Sequence, residues 1–447
     1  MRSSTADIQF TPLRATAAPV NQRPWLRSPE LWLVVLAFAV RIGFMLGART
    51  YLFDPKLGDD FTYVNEMTNI SRAIATGHGY TSPFAPFTGP TTWCTPVYTY
   101  LIATVFYLFG VFSTTSAIVI LTLQSLMSAF TCIPIHRIGD YTAGRRTGLA
   151  AALAWAIFPW FSKWAVSWVW EVSASALLAA LLFWYALRLA RPASRKLWIG
   201  YGLLWAVALL TNPALATLLP PALLWCAWEL RKQRCRWFTS AAVAVLVCFL
   251  TIAPWLVRNR IVFGQWVFLR STFGIEFSLG NYELANGHGW GGPHPTLSRL
   301  ELDRYIRMGE PAYNHWKLQQ TMQWVRANPA KFLMLTARRV KYFWDGSALL
   351  YRPAMHAYWM PWSFLAFDLL LLPALLVAHR RRLHAWPMLF GCLLLYPLPY
   401  YIVFSQARYR HVLEPIMLVL VCFAAGEVIH RIRALNTSGC DASHTHA

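Results

Sequence analysis

Long apolar segments recur along this chain, separated by turns rich in arginine and lysine. The segments fall at about 31–48, 116–137, 148–164, 173–190, 197–212, 214–230, 238–256, 359–378, 385–404 and 411–430. Most approach the ~20 residues that a helix needs to cross a bilayer. Only 13% of the residues are charged and 57% are hydrophobic, whereas soluble domains carry about 25% charged residues. The expected fold is therefore an all-α polytopic membrane protein of about ten transmembrane helices.

The formal net charge of +21 fits either nucleic-acid binding or membrane topogenesis. The basic residues decide between them. They gather between apolar segments, at Arg145/Arg146, Arg191/Arg195/Lys196, Arg231/Lys232/Arg234/Arg236, Arg380/Arg381/Arg382 and Arg431/Arg433, as the positive-inside rule asks of cytoplasmic loops. Nucleic acid is accordingly not an expected partner, and membrane lipids are. Residues 96–112 are apolar enough to span, but a span there would turn the later basic clusters outward. They are read instead as a helix in the membrane interface, where Tyr98, Tyr100 and Tyr107 keep one polar end wet.

This topology divides the chain into a basic cytoplasmic tail (1–30), a transmembrane module (31–256) with a first outer loop (49–115), a second outer region (257–347), C-terminal transmembrane helices (348–430) and a cytoplasmic tail (431–447). No signal peptide is read at the N-terminus. The eight cysteines mostly fall in apolar or cytoplasmic stretches, so no disulfide framework is expected.

The residues able to carry chemistry lie at the outer boundary. In the first outer loop, Asp59 and Asp60 precede Tyr63, Met67, Ile70 and Ile74, which share one helical face. A helix from near Asp60 to Gly77 or Gly79 follows. The acids either cap that helix or supply an ionised general base. Glu171, flanked by Trp168 and Trp170, is either a solvated loop acid or a second acid in the same outer cavity, since such a carboxylate is costly unless paired or wet. Arg258 and Arg260 follow one span, and Arg408, Arg410 and His411 precede another. They are exceptions to the inside clustering, and the guanidinium fork suits a lipid headgroup or a substrate phosphate. The loop 278–292 is Gly- and Asn-rich, and 312–345 reads as a basic, aromatic helix lying along the membrane. No metal-ligand spacing is evident.

In this order the pieces resemble the GT-C glycosyltransferases that use polyprenyl-phosphate sugars, in particular the bacterial relatives of the protein O-mannosyltransferases and the lipid A aminoarabinose transferases. The resemblance spans about 31–430. It rests on D-[DE]-x-x-Y leading to a G-x-G ending (Asp59 to Gly79), a Pro-led juxtamembrane helix (Pro96 to Gly110), a GRR turn (Gly144 to Arg146), PWxxRNxxxFG (Pro254 to Gly264), a GN loop (Gly280-Asn281) and RYRxxxEP (Arg408 to Pro415).

The resemblance implies a GT-C-like fold with juxtamembrane helices in the first outer loop. It implies Asp59 as catalytic base with Asp60 and Glu171 as further acids. It makes Tyr63, Arg258, Arg260, Asn281, Arg408, Arg410 and His411 substrate-binding candidates. The position before Pro96 reads Cys94-Thr95, where the aminoarabinose transferases carry a lysine that helps hold donor phosphate, so other cations must serve here. The implied activity is inverting transfer of a sugar from polyprenyl phosphate to an envelope glycan, lipid or protein acceptor, at the periplasmic or extracellular face of the inner (plasma) membrane. No cofactor is required by this reading, although the oligosaccharyltransferase branch leaves a divalent metal open. The alternative function is a transporter or flippase of a lipid-linked saccharide, against which stand the lack of visible repeats and the boundary placement of the ionisable residues. A non-enzymatic envelope scaffold accounts least well for the ordered motifs.

Overall fold

The computed structural model describes residues 28–53, 60–84, 87–288, 292–346 and 359–443. Regular structure among them is helical, apart from one isolated bridge between Thr81 and Pro90. Seven helical stretches are long and apolar enough to cross a membrane: Pro29–Gly47, Thr114–Ala143, Val172–Leu189, Pro213–Lys232, Phe238–Phe263, Pro361–Arg380 and Glu414–Arg433. The pair Arg145–Ile157 and Pro159–Ser167, bent by 49°, adds an eighth if it forms one span. The bend has a local cause: Phe158 is extended at ψ 125°, because a proline disfavours helical backbone in the residue before it.

The described residues thus supply seven or eight spanning helices rather than about ten. Two of the anticipated spans are helical but short. Arg195–Leu209 has 15 residues, about 22 Å of helix against ~30 Å of hydrocarbon. The 385–404 segment divides into Trp386–Leu395 and Leu398–Ile402 around Pro397. The interfacial candidate at 96–112 forms Pro96–Phe109, 14 residues long and likewise too short to cross untilted.

Close helix contacts rest on small residues. Gly144, at φ +95°, turns Cys132–Ala143 back against Arg145–Ile157. A Cβ on Gly139 would lie 2.5 Å from the Gly148 Cα, so glycine at this crossing lets the two backbones meet.

Side-chain contacts gather the basic turns at one end of the bundle. Glu30 accepts from Arg137 Nε at 2.9 Å and meets His136 at 3.1 Å. Arg191 lies 4.7 Å over the Tyr141 ring, His384 packs on Tyr141 and Trp225, and Arg381 pairs with Glu427 at 2.7 Å.

The opposite end carries the first loop and the 257–346 region. Where one helix from Asp60 to Gly77 or Gly79 was expected, there are two, Asp60–Tyr63 and Glu66–Ala75. Asn65 and Thr68 form a reciprocal capping box, with backbone-to-side-chain distances of 3.1 and 2.9 Å, and this restarts the helix at Glu66. The expected surface-lying helix at 312–345 is also two, Glu310–Ala327 and Pro329–Asp345, because a proline can begin a helix but not continue one. Its Tyr313, Asn314, Lys317 and Thr321 are buried in protein rather than turned to lipid.

Candidate active site

A cavity of about 490 Å³ opens at this second end. One wall comes from Trp168, Trp170 and Glu171, the link between Pro159–Ser167 and Val172–Leu189. A second comes from Arg270 to Leu279, and a third from Tyr396 to Val412, including Arg408 and Tyr409. Glu66 and His294 close the fourth side.

Glu171 sits at the N-cap of Val172–Leu189. Burial raises its pKa, and Arg408 and Arg270 oppose that rise; charge and desolvation act against each other on one carboxyl. Its Oε2 has no hydrogen-bond partner among the described residues. Arg408 lies 4.8 Å from the Trp168 ring and 4.9 Å from the Trp170 ring, within the range of cation–π attraction. Among the described residues its Nε and Nη1 have no hydrogen-bond partner, and neither does the Trp168 indole N–H. Arg270 is more tightly held: Nε donates to the Trp93 carbonyl at 2.7 Å and Nη2 to Glu276 at 2.8 Å. Burial works against its charge, but Glu276 and other neighbouring groups more than offset this, and the pKa is raised. Burial lowers the pKa of His294, whose Nε2 lies 3.7 Å from Glu66.

The cavity therefore joins two guanidinium groups, a desolvated carboxyl with an open acceptor atom, and aromatic walls with apolar faces. That set suits a ligand that is anionic at one point and rich in hydroxyls beside it.

The sequence candidates divide between this cavity and other work. Glu171 and Arg408 line it. Asp59 lies outside the described residues, and Asp60 is described only as the first residue of Asp60–Tyr63. The segment after them is tied to the cavity wall: Val169 N donates to the Thr62 carbonyl at 2.8 Å, and Asn65 Nδ2 to the Val169 carbonyl at 3.2 Å.

The other candidates point elsewhere. Tyr63 is buried, stacked on Phe53 at 4.5 Å, with its hydroxyl on the Ser113 carbonyl. Arg258 spends its guanidinium on backbone, donating to the Thr91 carbonyl at 2.8 Å and the Tyr80 carbonyl at 2.9 Å. Arg260 is exposed. Asn281 is buried between the Phe277 and Ile402 carbonyls and accepts from Arg339 at 2.7 Å. The GN pair of that loop has a packing cause, since a Cβ on Gly280 would collide with the Val403 carbonyl oxygen. Arg410 is fully buried, paired with Asp368 and with Glu414 at 3.3 Å. His411 meets Glu414 at 2.6 Å and stacks on Trp155. Each of these side chains thus has partners within the chain, and none of Tyr63, Arg258, Asn281, Arg410 and His411, expected to bind substrate, is among the residues lining the cavity.

Sequence reasoning passed over Arg270, Glu66, Glu276 and Tyr409. One signal was available for Arg270: it is a lone cation in the aromatic stretch 266–277, with Glu276 six residues on.

The role of Arg258 can be checked. Arg258→Ala leaves the Thr91 and Tyr80 carbonyls without this donor, and hydrogen bonds to a charged group contribute about 1.5–3 kcal/mol. Thermal unfolding in detergent is expected to show a loss of that size, with easier proteolysis near residues 80–91. Unchanged stability with lost binding of a lipid phosphate would return Arg258 to the ligand.

Among the described residues no three His, Cys, Asp or Glu side chains gather as a metal shell. Residues 92–257 match the family model of dolichyl-phosphate-mannose-protein mannosyltransferases. No curated protein matches the chain in sequence. Among solved structures, the chain is similar to the archaeal oligosaccharyltransferase AglB from Archaeoglobus fulgidus in complex with an inhibitory peptide and a dolichol-phosphate, at 12% identity and TM-score 0.48 over 93% of this chain. It spans 52% of that protein's length. The Archaeoglobus fulgidus oligosaccharyltransferase complex with Zn and sulfate is similar at 13% identity and TM-score 0.45, covering 91% of this chain and 49% of the other. ArnT from Cupriavidus metallidurans bound to undecaprenyl phosphate is similar at 15% identity and TM-score 0.42, covering 90% of this chain and 79% of the other.

Proposed function

We propose that this chain is a GT-C glycosyltransferase that moves a sugar from a polyprenyl-phosphate donor to an acceptor at the outer face of the membrane, with inversion at the anomeric carbon. The observation that carries the reading is the cavity where Glu171, Arg270 and Arg408 converge, at the bundle end opposite the basic turns. The family match over 92–257, which includes Glu171, supports it. By the positive-inside rule the basic end is cytoplasmic, so the cavity faces the periplasm or exterior of the plasma membrane.

The donor's phosphate sits between Arg270 and Arg408, and its sugar lies toward Glu171 and the indole faces of Trp168 and Trp170. The acceptor hydroxyl or amine attacks the anomeric carbon and gives its proton to Asp59. The bond from that carbon to the phosphate oxygen breaks, the electron pair leaves with the phosphate, and the two guanidinium groups stabilise the growing charge. A single displacement inverts the centre. Glu171 accepts a hydrogen bond from the sugar through its open oxygen.

Binding of undecaprenyl phosphate to the purified full-length chain tests the reading. Arg270→Ala and Arg408→Ala are each expected to weaken binding by about tenfold or more, the scale of a charge-assisted hydrogen bond. Arg260→Ala, at an exposed position, is expected to bind as the wild type does. Wild-type affinity in both cavity variants would remove the phosphate from this site.

A further inference from the structure

Glu310 opens the helix Glu310–Ala327, far in sequence from the cavity-lining 168–171 segment, and is 2% exposed. It has no basic partner among the described residues' ion pairs. Its carboxylate is instead ringed by donors. Oε1 accepts from Thr92 N at 2.6 Å, Thr92 Oγ1 at 2.8 Å and Ser271 Oγ at 2.6 Å. Oε2 accepts from the Tyr305 hydroxyl at 2.7 Å and from the Thr91 hydroxyl. A carboxylate buried without a cation is costly unless its lone pairs are filled, and here they are.

The donors are not scattered. Ser271 is the residue after Arg270. Thr91 and Thr92 precede Trp93, whose carbonyl takes Arg270 Nε at 2.7 Å, and the Thr91 hydroxyl also accepts from Trp93 N at 2.9 Å. One carboxylate thus clasps the backbone on which Arg270 is mounted and the backbone to which it is anchored. Arg258 grips the same Thr91 from its carbonyl side.

We propose that Glu310 is the positioning residue for Arg270: it sets the guanidinium where the lipid phosphate meets it, without touching the phosphate. The inference rests on the reading of the cavity as a donor-phosphate site. Catalytic groups need to be held within fractions of an ångström, and residues behind them supply that hold. A carboxylate offers acceptors on both sides: an amide keeps its oxygen for Thr92 N, but its NH₂ then faces the Tyr305 and Thr91 hydroxyls, which must turn from donating to accepting.

The test is undecaprenyl phosphate binding to the full-length chain in four forms: wild type, Glu310→Gln, Arg270→Ala and the double variant. Glu310→Gln is expected to weaken binding by about tenfold, and to add nothing once Arg270 is already alanine, because its effect runs through that side chain. A further loss in the double variant, equal to that in the single one, overturns the proposal and leaves Glu310 a general stabiliser. Wild-type binding by Glu310→Gln overturns it too, while the cavity reading stands on Arg270→Ala alone. Wild-type binding by Arg270→Ala overturns this inference, and wild-type binding by Arg408→Ala as well removes the cavity reading. Should Glu310→Gln fail to fold, Ser271→Ala removes one contact of the clasp. It is expected to weaken binding by roughly two- to fivefold, again only when Arg270 is present, and wild-type binding there overturns the proposal.

Discussion

Asp59→Asn is expected to lower sugar transfer by roughly 100- to 10,000-fold, the range that positioned general base catalysis supplies, with the protein still folded and inserted. Asparagine keeps the shape and the hydrogen-bonding reach of the side chain but cannot take the acceptor's proton. The loss should appear in turnover and not in binding of undecaprenyl phosphate, because the proposed phosphate ligands are Arg270 and Arg408, which line the cavity. Asp60→Asn should cost less, since the proposed step gives the proton to Asp59. The Thr62 carbonyl and the Asn65 side-chain amide both bond to Val169, two residues before Glu171, so the chain after the acid pair is tied to the cavity wall. Near-normal transfer by Asp59→Asn, combined with loss in Glu171→Gln, would move the base to Glu171.

Arg410→Met is expected to cost about 3–5 kcal/mol of stability, the penalty for breaking a buried ion pair and leaving its partner charged. Arg410 is fully buried between Asp368 and Glu414; its removal leaves Glu414 with His411 and the Trp160 indole N–H, which donates at 2.7 Å, and takes from Asp368 its ion-pair partner. Thermal unfolding in detergent measures the effect. Adding Asp368→Asn to Arg410→Met should restore part of it, because one unpaired charge is then gone. The fraction that remains folded should bind undecaprenyl phosphate as the wild type does. A stable Arg410→Met protein with lost binding would instead make Arg410 a ligand of the phosphate.

Arg410 and Arg408 show where sequence reading stops. Both stand in RYRxxxEP, two residues apart, and both read as outer cations able to meet phosphate. Their difference arises from partners that are remote in sequence: Asp368 for Arg410, and Trp168 with Trp170 for Arg408. The same holds for Arg258, which reads as a free outer cation in PWxxRNxxxFG until the carbonyls of Thr91 and Tyr80 are seen against it. Glu310 lies just before the helix read at 312–345, and the groups that surround it include Thr91 and Thr92, more than two hundred residues away.

The apolar segments were legible because a bilayer imposes length and hydropathy on each segment by itself. The breaks within them were less so. A proline at Pro159 or Pro397 marks where a helix can end, but whether it bends a span or divides it depends on packing. Glu171 was legible as a carboxylate out of place directly after Trp168 and Trp170, and all three line the cavity.

The most direct test of the donor site is the structure of the full-length chain with undecaprenyl phosphate bound. The phosphate is expected within hydrogen-bonding distance of both Arg270 and Arg408, with the lipid tail leaving toward the bilayer. A phosphate seated at the other end of the bundle, among Arg188, Arg191 and Lys196, would contradict the proposal that the cavity of Glu171 is where the sugar is transferred.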